Sequence, residues 1–181
     1  MNRVTVLLLV ALLPARALAQ SDRFEVGQRL RAFETAWEEH KDEAARKRAL
    51  AALEKVTVLF FKGSLDEVAR TFDQARHLLT TAKEPSATVR WAGALAVRPA
   101  ARFLDNKHPE LSITVASFYK VEAELPKDAI LKLTLRDANG KALAEQQTPI
   151  TALPLQTKPS LDGVHIPEGD HTLEAVIVVG K

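Results

Sequence analysis

From Asp22 onward the apolar residues Val26, Leu30, Phe33 and Trp37 recur at spacings of four, three and four. That period places them on one stripe of a helix ending near His40. Leu50, Leu53, Val56 or Thr57, and Phe60 repeat the pattern and predict a second helix. Gly63 is placed to end it, because glycine takes positive φ at no steric cost. Ser64, followed three residues later by Glu67, matches a capping box and opens a third helix with Leu65, Val68, Phe72, Ala75 and Leu79 facing inward. Beyond Pro85, Ser86 is the predicted cap of a helix through Val89, Trp91, Leu95 and Val97, and Pro99 restarts a short one to Leu104. Trp37 and Trp91 both fall on apolar stripes and are read as core side chains.

After the polar, proline-ended Asn106-Lys107-His108-Pro109 the period changes from 3.6 to 2. Leu111, Ile113, Val115, Tyr119, Val121, Ala123 and Leu125 all occupy odd positions, as one strand or a bent pair of strands with a single buried face requires. Leu131, Leu133 and Leu135 form the inward face of the next strand, with Lys132, Thr134 and Arg136 outward. Asp137-Ala138-Asn139-Gly140 supplies hairpin-loop chemistry, and a weaker strand runs from Lys141 to about Gln147. Pro149, Pro154 and Pro159 suit irregular or edge segments, since each removes a ladder donor. The last strand, His171 to Val179, is apolar at every position from Ala175, which predicts burial on both faces or a central place in a sheet.

These elements predict an α+β chain with an antiparallel bundle of three to five helices over residues 20–107, then a small antiparallel β-sandwich of four to six strands over residues 108–181. At Gly63, Phe72 and Ala75 the predicted hairpin of residues 43 to 82 resembles one tetratricopeptide repeat, with a glycine at the turn and then an aromatic and a small residue on the second helix. Val68 stands where that family prefers alanine, and Thr80-Thr81 occupies the region of its usual proline. The resemblance implies peptide binding in a concave groove, although arrays of this kind gain stability from three or more stacked units. In residues 109 to 181, the turn Ile166-Pro167-Glu168-Gly169-Asp170-His171 before a closing apolar strand resembles the immunoglobulin-like or carboxypeptidase-regulatory-like sandwiches of bacterial exported proteins. A complete sandwich of that class has about seven strands, more than the four or five read here. The shortage suggests a chain that is the leading part of a larger exported protein; the alternative is a small sheet covered by the helices.

At the other end, Arg3 precedes the apolar run Val4 to Leu13, Pro14 breaks it, and Ala17-Leu18-Ala19 offers a small-x-small cleavage site. Residues 1–19 therefore read as a secretory signal peptide cut before Gln20. A membrane anchor is the poorer reading, because ten residues rise only about 15 Å as a helix, roughly half of a bilayer's hydrocarbon core. The processed chain is expected in the periplasm or outside the cell, with no membrane span. This reading also revises the charge. The 181 residues hold 25 basic and 23 acidic side chains, but Arg3 and Arg16 lie in the leader, which leaves 23 of each. Residues 20–108 then carry 16 basic and 13 acidic groups and residues 109–181 carry 7 and 10, a polarity far short of a nucleic-acid footprint.

Composition excludes several chemistries. With 46% hydrophobic and 27% charged residues the chain is neither disordered nor collagenous, and the absence of cysteine removes disulfide scaffolds, thiol catalysis and thiolate zinc sites. There is no Gly-x-Ser-x-Gly elbow and no glycine cluster ahead of a helix, so hydrolase, phosphate-loop and dinucleotide fingerprints are missing. Glu38-Glu39 and Asp42-Glu43 fall where one helix ends and the next begins, where solvation and capping account for them. Arg90, Arg98 and Arg102 lie four to eight residues apart and define either an anion site or a solvated helix face.

Ligand-type residues concentrate in one place: Asp162, His165, Glu168, Asp170 and His171. Of these, His165, Glu168, Asp170 and His171 are the candidate metal ligands if the turn folds them inward. The spacing matches no metal signature, and Pro-Glu-Gly-Asp is ordinary turn composition, so solvated turn residues are the competing reading. No organic cofactor is implied. The expectation from sequence is an exported, non-catalytic binding, scaffolding or accessory protein with a protein or cell-envelope partner and no specified oligomeric state. Two alternatives are the accessory head of a larger exported esterase or peptidase and a metal or small-ligand carrier using the His165-His171 turn.

Overall fold

The computed structural model describes residues 22–81, 83–101 and 110–180. The leader (1–19), the Arg102 side chain, the end of the helix expected to reach Leu104 and the 106–109 linker lie outside these residues. The chain is mixed α+β and divides into two compact units between Pro85 and Ser86. The first is helical: α1 (residues 22–39), α2 (Glu43–Leu53), α3 (Val56–Lys62) and α4 (Leu65–Thr81). The second holds α5 (Ala87–Gly93) and strands β1 (Leu95–Pro99), β2 (Ile113–Ser117), β3 (Ile130–Arg136), β4 (Ala142–Pro149), β5 (Leu155–Thr157) and β6 (Thr172–Val178).

In the helical unit α4 carries the longest apolar face, burying Val68, Ala69, Phe72, Ala75, Leu78 and Leu79. Helix α1 reaches it through the Phe33 ring, 6.3 Å from that of Phe72. The buried stripe of α1 runs through Val26, Arg29, Phe33 and Ala36: Val26 and Phe33 are buried as predicted, whereas Leu30 is exposed and Trp37 half-buried, with Arg29 and Ala36 one position earlier in their places. On α2 the buried residues are Ala45 and Ala49, whereas Leu50, predicted as core, is 55% exposed. A small residue at the contact lets two helices approach closely and leaves the larger neighbours on the flanks.

Local signals set the helix ends. The Asp42 side chain accepts from the Ala45 amide at 2.6 Å and caps α2. Gly63 adopts φ 80°, its amide donating to the Phe60 carbonyl while the Ser64 amide donates to that of Leu59, which makes a Schellman ending for α3. Arg46 lays its guanidinium 4.5 Å from the Trp37 ring centroid and donates to the carbonyls of Trp37 and His40 at 2.7 and 2.9 Å, so α2 caps the last turn of α1.

The sheet unit has two antiparallel sheets of three strands, ordered β1-β2-β5 and β4-β3-β6. Leu131, Leu133 and Leu135 of β3 face inward as predicted and join Trp91, Leu95, Leu111, Ile113, Val115, Ile150, Leu161 and Ile166 in one apolar core. Asp137 Oδ1 accepts from the Asn139 and Lys141 amides at 2.9 Å each, and Gly140 at φ 80° completes the β3–β4 turn.

Three expectations need correction here. The helix predicted through Leu95 and Val97 stops at Gly93, and Leu95 to Pro99 instead pair with Ser117 to Ile113 of β2, which places residues 86–101 in the sheet unit instead of the helical one. A run of four apolar residues fits either period, and the pairing with β2 decided between them. The alternation from Leu111 is a ladder only over Ile113–Ser117, with Tyr119 buried beyond it. Finally, β6 pairs only with β3 among the described residues; it is an edge, with Val176 45% exposed, and the central strand is β3.

Each unit carries one tryptophan, Trp37 and Trp91, which allows separate readout. Leu131→Ala is expected to cost about 2–5 kcal/mol through lost burial and a residual cavity. The measurement is urea unfolding followed by Trp91 fluorescence in a Trp37→Phe background.

Candidate functional site

The loop from Lys158 to Asp170 is held by Leu161 and Ile166, both buried in the core of the sheet unit. Adjacent side chains in an extended segment point to opposite sides. Burial of Ile166 therefore turns His165 outward, and His165, Glu168 and Asp170 are exposed. His171 is half-buried, with its Nε2 buried and without a hydrogen-bond partner. Asp162 accepts from the Ser160 hydroxyl at 3.2 Å. Among the described residues no group of three or more His, Asp or Glu side chains is arranged to hold a metal ion, so His165, Glu168, Asp170 and His171 are neighbours in sequence that the loop does not bring together as a ligand set.

The arginines predicted to share a helix face are separated by the change of secondary structure. Arg90 lies on α5, while Arg98 lies on β1 with its guanidinium 5.7 Å from the Phe118 ring centroid. Of the tryptophans, Trp91 is core as expected, and Trp37 is a half-buried platform for Arg46, with the Phe33 ring 5.8 Å away.

The structure shows two polar arrangements that sequence patterning missed. In the helical unit, buried Arg29 donates from Nη1 to the Glu25 carboxylate at 3.1 Å and from Nε to Asp73 of α4 at 2.9 Å. The spacing of Glu25 and Arg29 by four was a readable signal, since Glu before Arg at i, i+4 forms a favourable pair; Asp73, 44 residues away, was not. A charge pair this deep stabilises only while complete, because removing one member leaves an uncompensated buried charge.

In the sheet unit, Gln146 of β4 donates from Nε2 to the hydroxyls of Thr148 and of Thr157 on β5, both at 3.0 Å. This bond joins an edge strand of one sheet to an edge strand of the other, and Gln146 Oε1 is left buried without a partner. Nearby, Lys158 is hydrogen-bonded to Glu110, tying the approach to β2 to the exit of β5. That hydrogen bond, and then the ammonium charge, hold the Glu110 carboxyl below its ordinary range.

On the α2–α3 path Phe61 is 83% exposed, Leu50 55% and Val58 54%, with Phe60 exposed beside them; Phe24 and Leu30 of α1 are exposed as well. Helix α3 buries none of its seven residues. No match was found among protein-family models, curated proteins or solved structures.

Arg29→Ala is expected to destabilise the helical unit by about 3–5 kcal/mol, and replacing Glu25, Arg29 and Asp73 together by apolar residues of similar volume to recover most of the loss. Urea unfolding read at Trp37 in a Trp91→Phe background tests both. For Glu110, whose folded pKa is depressed, the pair's stabilisation is present above the unfolded carboxylate pKa and fades as pH falls through the lower folded value. Lys158→Ala should move the Glu110 titration upward in a carboxyl-carbon NMR experiment.

Proposed function

We propose that this chain is an exported, non-catalytic binding or accessory protein of the bacterial cell envelope, built from a helical-hairpin module and an antiparallel β-sandwich. The observation that carries the binding role is the α2–α3 face. The helical unit fills the α2 contact with Ala45 and Ala49 and leaves Leu50, Val58 and Phe61 in water. Apolar residues gathered on an exposed face beyond what the core uses mark a surface that is covered when the protein works.

Export rests on Arg3, the apolar run Val4 to Leu13 and the Ala17-Leu18-Ala19 site. No helix among the described residues is long and apolar enough to cross a membrane. The two sheets share one apolar core, which supports the sandwich.

Fractionation of a bacterium expressing the chain with a C-terminal epitope tests the reading. The epitope is expected outside the cytoplasm on a polypeptide whose first residue is Gln20, and Leu8→Arg, which breaks the apolar run, should retain the uncut chain inside. Uncut wild-type chain in the cytoplasm would overturn export.

A further inference from the structure

The α2–α3 path behaves as one nearly continuous helical surface. Glu54 and Lys55, which join the two helices, both keep right-handed helical backbone angles (φ −49°, ψ −38° and φ −95°, ψ −2°). At about 100° per residue, Leu50, Glu54, Val58 and Phe61 then fall within about a quarter of a turn of one another. Lys47 and Glu43 lie inside the same sector, and Lys55 and Lys62 lie on its flank; all four are exposed, so this face and its flank carry three lysines against Glu43 and Glu54. Over residues 43–62 there are five basic side chains (Arg46, Lys47, Arg48, Lys55 and Lys62) against two acidic ones, Glu43 and Glu54. Asp66 and Glu67 follow at the start of α4, beyond Gly63.

We propose that this face docks the protein on an anionic lipid bilayer, with Leu50, Val58 and Phe61 entering the headgroup region and Lys47, Lys55 and Lys62 meeting lipid phosphates. The proposal names a partner for the binding module inferred above and rests on that reading.

Size and charge together select lipid over a second copy of the chain. The path from Lys47 to Lys62 is about 24 Å long and offers four large exposed apolar side chains, Leu50, Val58, Phe60 and Phe61, whereas a stable protein interface takes about 800 Å² and 20–30 residues from each partner. Two copies of a face with surplus positive charge also repel, while the same surplus is complementary to an anionic leaflet. A shallow amphipathic contact needs only a short apolar stripe flanked by lysines, whose stems lie along the apolar surface as their ammonium groups reach the phosphates.

The test is co-sedimentation of the purified chain, residues 20–181, with two vesicle types: phosphatidylcholine alone, and phosphatidylcholine with phosphatidylglycerol. Because the leader is absent and the assay is made in vitro, its result is independent of whether export occurs. Binding to the phosphatidylglycerol vesicles is expected, weakening as salt is raised. Val58→Ser with Phe61→Ser should lower the vesicle affinity about tenfold or more, and Lys47→Glu with Lys62→Glu should remove the preference for anionic vesicles. All four positions are exposed, and circular dichroism of each variant confirms that the helices are retained. No sedimentation of the folded wild type with anionic vesicles, equal binding by the folded Val58→Ser, Phe61→Ser variant, or a dimer in analytical ultracentrifugation that the same variant abolishes would each overturn the proposal.

Discussion

The contact of α2 with α4 decides what the helical unit presents to its surroundings. The α2 side of that contact is made of Ala45 and Ala49, and α4 contributes Ala69 and Ala75 among its buried residues. With small side chains at the contact, the larger residues of α2 and α3 have no room between the helices and are carried to the flank or outward. Leu50 of α2 is exposed, as are Val58 and Phe61 of α3, and the proposed binding surface lies on this outer side. Arg29 complements the packing on the α1 side, where its paired bonds to Glu25 and Asp73 fix α1 against α4 at a position a bulky apolar residue would otherwise fill.

The sheet unit is organised differently, around β3. Its three inward leucines lie opposite Thr148, Gln146 and Ala144 on one side and Ile177, Ala175 and Leu173 on the other, so the strand contributes to the core and to two ladders at once. The second sheet reaches the same core through Leu95, Ile113 and Val115. At the rim the sheets are joined by the polar bond from Gln146 to Thr157, while the Glu110–Lys158 pair ties β2 to β5 within one sheet. These bonds orient edges and add little apolar burial, which fits a seam that fixes register more than it supplies stability.

The predicted metal turn shows how composition and geometry part. Four ligand-type residues within seven positions look like a site on paper, yet Leu161 and Ile166 take the inward directions of that loop. His165, Glu168 and Asp170 are exposed around these anchored apolar residues, and His171 is half-buried. On α2 and α3 the reverse holds: Leu50 and Phe60 belong to the stripe that periodicity assigns to the core, and tertiary packing leaves both exposed.

Local chemistry was legible wherever a short segment satisfies its own backbone. The Gly63 turn, the Ser86 cap, the Asp137 to Gly140 hairpin and the inward leucines of β3 follow from periodicity, capping and glycine stereochemistry alone. What depended on a distant partner was not legible. Residues 94–97 fit a helix or a strand until β2 supplied hydrogen bonds, β6 read as central until its outer neighbour proved absent among the described residues, and Leu50 read as buried until Ala45 and Ala49 took the contact with α4. The physical reason is the same in each case. A hydrophobic pattern specifies which residues can leave water, and only the tertiary structure decides which surface is there to receive them.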